Sequence, residues 1–210
     1  MLPCIVGPCA VLVPVPLPDA DLWYDPGFLD RQSADHLLEW SVTRIPWDHH
    51  VIRMFGRDVP TPRRSAWFGD PGARYTYSGL TLEPRPWPTP LAHLRDRIQT
   101  ASGSRFNAVL ANLYRDGADS MGWHADDEPE LGRDPVIASI SVGAVRRFTM
   151  RHATRPALSQ LVLELEHGSL LVMSGATQHH WRHALPKTRR SIGPRVNLTF
   201  RLVRPTTVAL

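Results

Sequence analysis

From residue 106 onward the chain alternates apolar and polar side chains with a period of two, which marks strands. The pattern predicts strands over Phe106–Tyr114, Val136–Val142, Val145–Arg151, Leu161–Glu166, Ser169–Ser174 and Arg195–Val203. Upstream the period lengthens. Ser33 is a good N-cap, and the run through Asp35, Leu37, Leu38 and Trp40 predicts a short helix. Thr89-Pro90 opens a second helix with Leu91, Leu94 and Ile98 on one face. Residues 1–20 read as an irregular, proline-rich lead-in, and residues 45–90 as turns and short extended pieces. Short strands punctuated by Gly and Pro favour an antiparallel sandwich or barrel over a parallel sheet. One domain over 1–210 is expected, with its β core at 106–204 and helices at 21–105.

Composition narrows the class. The 210 residues are 42% hydrophobic and 21% charged, which excludes wholesale disorder. No apolar run reaches about 18 residues, so no membrane span and no membrane partner are expected. Cys4 and Cys9 are too few for a disulfide scaffold or a cysteine-based zinc site. The apolar N-terminus lacks a basic flank and is broken by prolines, so it does not read as a signal peptide, and a cytoplasmic protein is expected. The net charge is +4, and Lys187 is the one lysine; the other basic residues are arginine, a ratio that codon bias explains. The charges are unevenly placed. Residues 182–204 hold seven basic residues and no acid, whereas residues 116–134 hold seven acids and one base, Arg133. The first hints at nucleic acid, the second at a metal.

Three segments place unusual polar residues at i and i+2, on one face of a strand. They are Asn112 with Tyr114, His124 with Asp126, and the series Arg195, Asn197, Thr199 and Arg201, opposite Val196, Leu198, Phe200 and Leu202. For each segment alone, a polar face meeting water is the simpler explanation. His124-Ala-Asp126 adds weight to a metal, since a distant third His would complete a two-His, one-carboxylate triad for Fe(II). His152, His167, His179, His180 and His183 all qualify as that third ligand on residue type. The arginines then suit a carboxylate on a co-substrate, with Tyr and Asn completing the grip.

These residues resemble the AlkB-type Fe(II)/2-oxoglutarate dioxygenases, which repair alkylated nucleic acids. The resemblance rests on Asn112-Leu-Tyr-Arg-Asp-Gly117, His124-Ala-Asp-Asp-Glu128, Ile137-Ala-Ser-Ile-Ser141, His167-Gly-Ser-Leu-Leu171, His183-Ala-Leu-Pro186 and Arg195-Val-Asn-Leu-Thr-Phe-Arg201. It covers roughly residues 50–204. Within the family the chain looks most similar to the duplex-repairing vertebrate nuclear branch and its bacterial relatives. The resemblance implies a mainly β fold with flanking helices: a double-stranded β-helix, or jelly roll, under an N-terminal nucleotide-recognition lid. It implies Fe(II) on His124, Asp126 and His183, and 2-oxoglutarate on Asn112, Tyr114, Arg195, Asn197 and Arg201, with O₂ as second co-substrate. Arg201 would also brace Asp126.

In the lid, Arg74-Tyr-Thr-Tyr-Ser-Gly79 resembles the segment that clamps the damaged base. Tyr77 would stack on the base opposite His124, Tyr75 would line the pocket, and Asp127 and Glu128 would sense the base edge. Val51–Arg57 resembles a duplex-probing hairpin, with Phe55 as wedge and Arg53, Arg57, Arg63 and Arg64 for phosphates. Tyr77 stands where the similar branch has Phe. The implied activity is oxidative demethylation of 1-methyladenine or 3-methylcytosine in DNA by a monomer, releasing formaldehyde, succinate and CO₂. The alternatives are an RNA demethylase, a protein hydroxylase with the same iron site, or a non-enzymatic jelly-roll module that binds nucleic acid.

Overall fold

The computed structural model describes residues 11–49, 51–54, 57–77 and 80–204, and the side chains of all of these except 52–54, 57–59, 77 and 80. The N-terminal half holds β1 (Val13–Val15), β2 (Asp21–Asp25), α1 (Arg31–Arg44), β3 (Val51–Met54), β4 (Arg57–Pro60) and β5 (Arg64–Gly69). It continues with β6 (Tyr75–Tyr77), β7 (Leu80–Leu82) and α2 (Thr89–Ser102). The C-terminal half holds β8 (Ala108–Tyr114), β9 (Met121–His124), β10 (Ile137–Gly143), β11 (Arg146–His152) and β12 (Leu161–Leu165). It ends with β13 (Ser169–Ser174), the single turn α3 (Thr177–His180), β14 (Trp181–Leu185) and β15 (Arg195–Arg201).

Two antiparallel sheets face each other. The larger runs β1-β2-β13-β10-β15-β8-β5 and the smaller β12-β11-β14-β9. Strands 8, 10, 13 and 15 oppose strands 9, 11, 12 and 14, so the chain crosses repeatedly between the sheets, as a double-stranded β-helix requires. The predicted strands all form, with ends shifted by at most two residues. β2, β9 and β14 were not expected, and the last two lack a clean alternating pattern. The lead-in is not wholly irregular either, because Val13–Val15 pairs with β2 and extends the large sheet.

The helices follow from local chemistry. Asp30, not Ser33, caps α1: its Oδ1 accepts from the Ser33 backbone N–H at 2.8 Å. The helix ends at Ile45, whose extended ψ of 128° suits the residue before a proline. In α2, Leu91, Leu94 and Ile98 are buried as expected. Ala34 and Leu37 of α1 join them against Val196, Leu198 and Phe200 of β15, together with apolar residues of β8 and β10. The apolar face of the last strand is therefore sealed by helices. Its polar face lies inside the barrel, so all seven residues of β15 are buried. The simple expectation of a water-facing polar side is corrected here, and the polar groups must find partners within the protein. Among the described residues no helix is long and apolar enough to cross a membrane.

The connection from β8 to β9 is held by one buried acid. Asp119 accepts from the Arg115 backbone N–H and Nε, both at 2.8 Å, and from its Nη2 at 2.7 Å. Burial pushes the Asp119 carboxyl up, but these bonds and the Arg115 charge outweigh it and hold the group below the usual carboxylate range. Its stabilisation is thus present above the unfolded value of about 3.9 and lost as pH falls through the lower folded value. Asp119→Asn should weaken the protein at neutral pH by about 2 kcal/mol and flatten the stability loss below pH about 4. Urea unfolding across the acid range checks this, and an unchanged acid slope contradicts it.

Candidate active site

Two of the unexpected strands carry the chemistry. β9 and β14 pair antiparallel with His124 directly opposite His183, which sets the imidazoles side by side with ring centroids 4.2 Å apart. Asp126, two residues beyond His124, turns back to the same point, and its Oδ2 lies 3.7 Å from His183 Nε2. One ligand atom from each of the three lies within 4.8 Å of the others. The structure thus brings together the expected His-Asp-His set. His179, on α3, pairs outward with Asp134 at 3.0 Å, and His167 pairs with Asp35 at 3.1 Å.

Each member is prepared for a metal. His124 Nδ1–H donates to the Gly122 carbonyl at 2.8 Å, which leaves Nε2 as the free donor atom. His183 Nδ1 is buried with no hydrogen-bond partner. Asp126 receives Arg201 Nη2 on Oδ1 at 2.7 Å, and its backbone N–H donates to Gln178 Oε1 at 3.0 Å. Burial pushes the Asp126 carboxyl up, but the Arg201 charge and its hydrogen bond overcome this and hold it below the ordinary carboxylate range. Burial pushes His183 down to about 3 and lowers His124 as well. Two neutral imidazoles beside an ionised carboxylate form the donor set that Fe(II) takes, with an open side for further ligands. The residues fit the metal.

The recess beside this cluster is polar at one end. Along the β8–β15 ladder Tyr114 lies opposite Arg195, and Asn112 opposite Asn197. All four are buried. The Arg195 guanidinium carbon sits 5.3 Å from the Tyr114 ring centre, and its Nη2 donates to Ser141 Oγ at 2.9 Å. Arg195 Nε has no partner, and burial pushes its pKa down to about 10. Asn197 donates to Ser139 Oγ at 2.7 Å and accepts from Thr199 at 2.8 Å. A buried cation with unspent donors, next to a phenol and two amides, fits the distal carboxylate of a keto acid. Leu110, Phe148, Leu165 and Met173 line the same recess and keep it apolar elsewhere. Arg201 also borders it, with its charge committed to Asp126.

The base-side residues divide. Tyr75 is fully buried, stacked on Trp67 at 4.9 Å with Arg201 5.2 Å from its ring centre. Its hydroxyl has no hydrogen-bond partner, nor has the buried Oε2 of Glu128. Burial pushes both groups up; the Glu128 charge adds to the rise at Tyr75, while the Tyr75 hydroxyl opposes the rise at Glu128. Asp127 is exposed. Tyr77 is on β6, opposite Leu80, with its side chain outside the described set. Arg53 and Arg57 lie on the paired strands β3 and β4, with their side chains also outside it. Phe55 lies outside the described residues. Arg64 is exposed. Arg63 corrects the expectation of a phosphate contact: it is 6% exposed, and its Nε donates to Asn112 Oδ1 at 2.9 Å. A buried guanidinium turned towards the recess orients Asn112 and does not reach a nucleic-acid backbone.

Several positioning residues were not singled out from the sequence. Ser139 and Ser141 orient Asn197 and Arg195, and Gln178 fixes the Asp126 backbone.

His183→Ala should abolish Mn(II) binding and succinate formation, whereas His180→Ala should leave both near wild type. Calorimetry and turnover measurements check this, and the reverse pattern would show that the wrong histidine had been chosen.

Comparison with known proteins agrees with the geometry. Residues 21–201 match the family model described as the 2OG-Fe(II) oxygenase superfamily. The chain is 45% identical over 188 residues to "Alpha-ketoglutarate-dependent dioxygenase alkB homolog 3" of Homo sapiens, covering 86% of this chain and 65% of that protein. It is 47% identical over 185 residues to "DNA oxidative demethylase ALKBH2" of Mus musculus, covering 84% of this chain and 77% of the relative. The chain therefore spans about 65% of the length of the curated homolog 3 proteins it matches. Among solved structures, "The structure of OsALKBH1" aligns with a TM-score of 0.59 at 16% identity, over 89% of this chain and 98% of that one. An oxidoreductase of the 2OG-Fe(II) oxygenase family from Burkholderia pseudomallei aligns with a TM-score of 0.58 at 15% identity, over 88% of this chain and 87% of that one. These last two likenesses concern the fold. Taken with the triad and the matched span, they make one conclusion: this chain belongs to the 2OG-Fe(II) oxygenase superfamily, whose members use iron(II) and 2-oxoglutarate.

Proposed function

We propose that the protein is an oxidative demethylase of N-alkylated bases in DNA, acting on 1-methyladenine and 3-methylcytosine. The observation that carries this reading is the convergence of His124, Asp126 and His183 beside the Asn112–Tyr114–Arg195–Asn197 recess. The names and identities of the alkB homolog 3 and ALKBH2 relatives support the substrate class.

In this reading His124, Asp126 and His183 hold Fe(II), while Arg195, Tyr114, Asn112 and Asn197 hold the distal carboxylate of 2-oxoglutarate. Iron, 2-oxoglutarate and O₂ together supply the oxidising power, and one oxygen atom ends in succinate. The chain supplies orientation. Arg201 keeps Asp126 ionised and in place. Ser141 and Ser139 fix the angle of Arg195 and Asn197, so the co-substrate enters one way round. Leu110, Phe148 and Met173 exclude water where the methyl group is oxidised. The oxidised methyl leaves as formaldehyde and restores the base.

A base must leave the duplex to reach this recess, and methylation of its pairing edge makes extrusion cheaper. Glu128 and Tyr75, with buried oxygens that lack partners, suit the edge or exocyclic amine of the flipped base. Tyr77 and Asp127 complete the lid contacts in this reading. Phe55 fills the vacated stack, with Arg53, Arg57 and Arg64 on the phosphates.

The test is formaldehyde release from oligomers carrying 1-methyladenine or 3-methylcytosine, as single-stranded DNA, duplex DNA and RNA. Release from DNA above RNA is expected, and Phe55→Ala should lower the duplex rate more than the single-strand rate. Faster turnover of RNA favours the RNA demethylase. No formaldehyde from any oligomer, with succinate still formed, points to a different substrate such as a protein side chain.

A further inference from the structure

Arg146 opens β11 and is 3% exposed, yet the oxygenase reading gives it no task. Its guanidinium donates to three main-chain carbonyls: Nη1 to Asp116 at 3.1 Å, and Nη2 to Asp119 at 2.9 Å and to Pro186 at 2.8 Å. These carbonyls belong to two separate connections, one from β8 to β9 and the other from β14 to β15. The same two connections meet at Gly117, which accepts from the Thr188 backbone N–H at 2.9 Å. A Cβ on Gly117 would lie 2.5 Å from the Thr188 carbonyl, so the approach needs glycine there. Arg146 thus fastens the ends of the four strands that carry Tyr114, His124, His183 and Arg195.

A fastening role alone does not call for a charge, and the charge has a further consequence. The Arg146 guanidinium carbon lies 6.0 Å from the Tyr114 ring centre, and that of Arg195 lies 5.3 Å from it. Two guanidinium groups therefore lie over one phenol. Among the described residues neither has a carboxylate ion-pair partner. The nearby Asp119 is ion-paired with Arg115, and Asp116 Oδ1 accepts from the Ala118 backbone N–H, so these two carboxylates offset the Arg146 charge only from a distance. Carbonyls satisfy the donors of Arg146 but bring only partial charge. Arg195 has no carboxylate acting on it, and a buried cation left so is costly until an anion enters between the sheets.

We propose that Arg146 is a positioning residue for the co-substrate: it holds Tyr114 in place and adds a second positive charge behind the Arg195 contact. The recess then selects a keto acid with an anionic tail over one with a neutral tail of the same length. This rests on the assignment of the recess to 2-oxoglutarate, and the experiment separates the two. Calorimetry on the anaerobic Fe(II) protein, which needs no turnover, measures binding of 2-oxoglutarate and of 2-oxovalerate, whose tail ends in a methyl group.

Arg146→Gln should weaken 2-oxoglutarate about tenfold and change 2-oxovalerate less than about twofold. Arg146→Lys, which keeps the charge, should restore most of the discrimination. Equal weakening of both keto acids in the Gln variant would reduce Arg146 to a structural staple and overturn the proposal. Should Arg146→Gln fail to fold, the Lys variant alone decides: it keeps the charge and loses the planar fork, so a preference for 2-oxoglutarate near the wild-type ratio is expected, and loss of that preference overturns the proposal. If the wild-type protein binds neither keto acid, the assignment of the recess itself fails, and the proposal with it.

Discussion

The ion pair between Arg201 and Asp126, 2.7 Å long and almost wholly buried, is the constraint around which the interior is arranged. Neither group survives there alone, because an uncompensated charge between two sheets costs several kcal/mol. Arg201 ends the last strand of the large sheet, and Asp126 follows the edge strand of the small one. Their bond therefore joins the sheets at the point where the two histidines face each other. It also sets the charge of the cluster. With the guanidinium on one carboxylate oxygen, the other is left towards His183. Burial keeps the imidazoles uncharged, so a dication meets donors and no competing protons.

The rest of the last strand obeys the same logic. Arg195, Asn197, Thr199 and Arg201 point inward: Arg195 and Asn197 find partners on β10, Thr199 donates to Asn197, and Arg201 reaches the metal cluster. A strand this polar on its inner face needs an apolar outer face that is fully covered. The helices supply the cover through Leu91, Leu94, Ile98, Ala34 and Leu37. The N-terminal half is thus more than a lid, because it seals the sheet whose other face does the chemistry. Arg63 extends this link by reaching from the start of β5 to Asn112.

Much of this was legible because strands have a period of two. The spacing in Arg195-Val-Asn-Leu-Thr-Phe-Arg201 put the right four side chains on one face, and the ladder then set Tyr114 and Asn112 opposite two of them. What the spacing could not show was which face met water, since a polar stripe inside a barrel and one in solvent have the same pattern. β9 and β14 were missed for a related reason. Met121–His124 mixes a glycine with three large residues, and Trp181–Leu185 places Arg182 between two buried ring side chains, so neither alternates cleanly. The cap of α1 fell to Asp30 because Ser33, although suited, already had its backbone N–H inside the first turn. Arg63 follows the hairpin segment, where an arginine suits phosphate; only the fold turns alternate residues of that segment inward. Ser139, Ser141 and Gln178 carry no signature of their own, since their roles depend on contacts 52 to 58 residues away in the chain.

The central claim is that one buried recess holds a metal at the His-Asp-His end and a keto acid at the arginine end, close enough for the second to chelate the first. Visible absorption of the anaerobic Fe(II) protein during a 2-oxoglutarate titration tests it most directly, because chelation of ferrous iron by a keto acid produces a charge-transfer band. The account predicts a band that saturates at one equivalent and disappears when Asp126 is replaced by Ala. A protein that binds 2-oxoglutarate equally well with and without iron, and shows no such band, would contradict it.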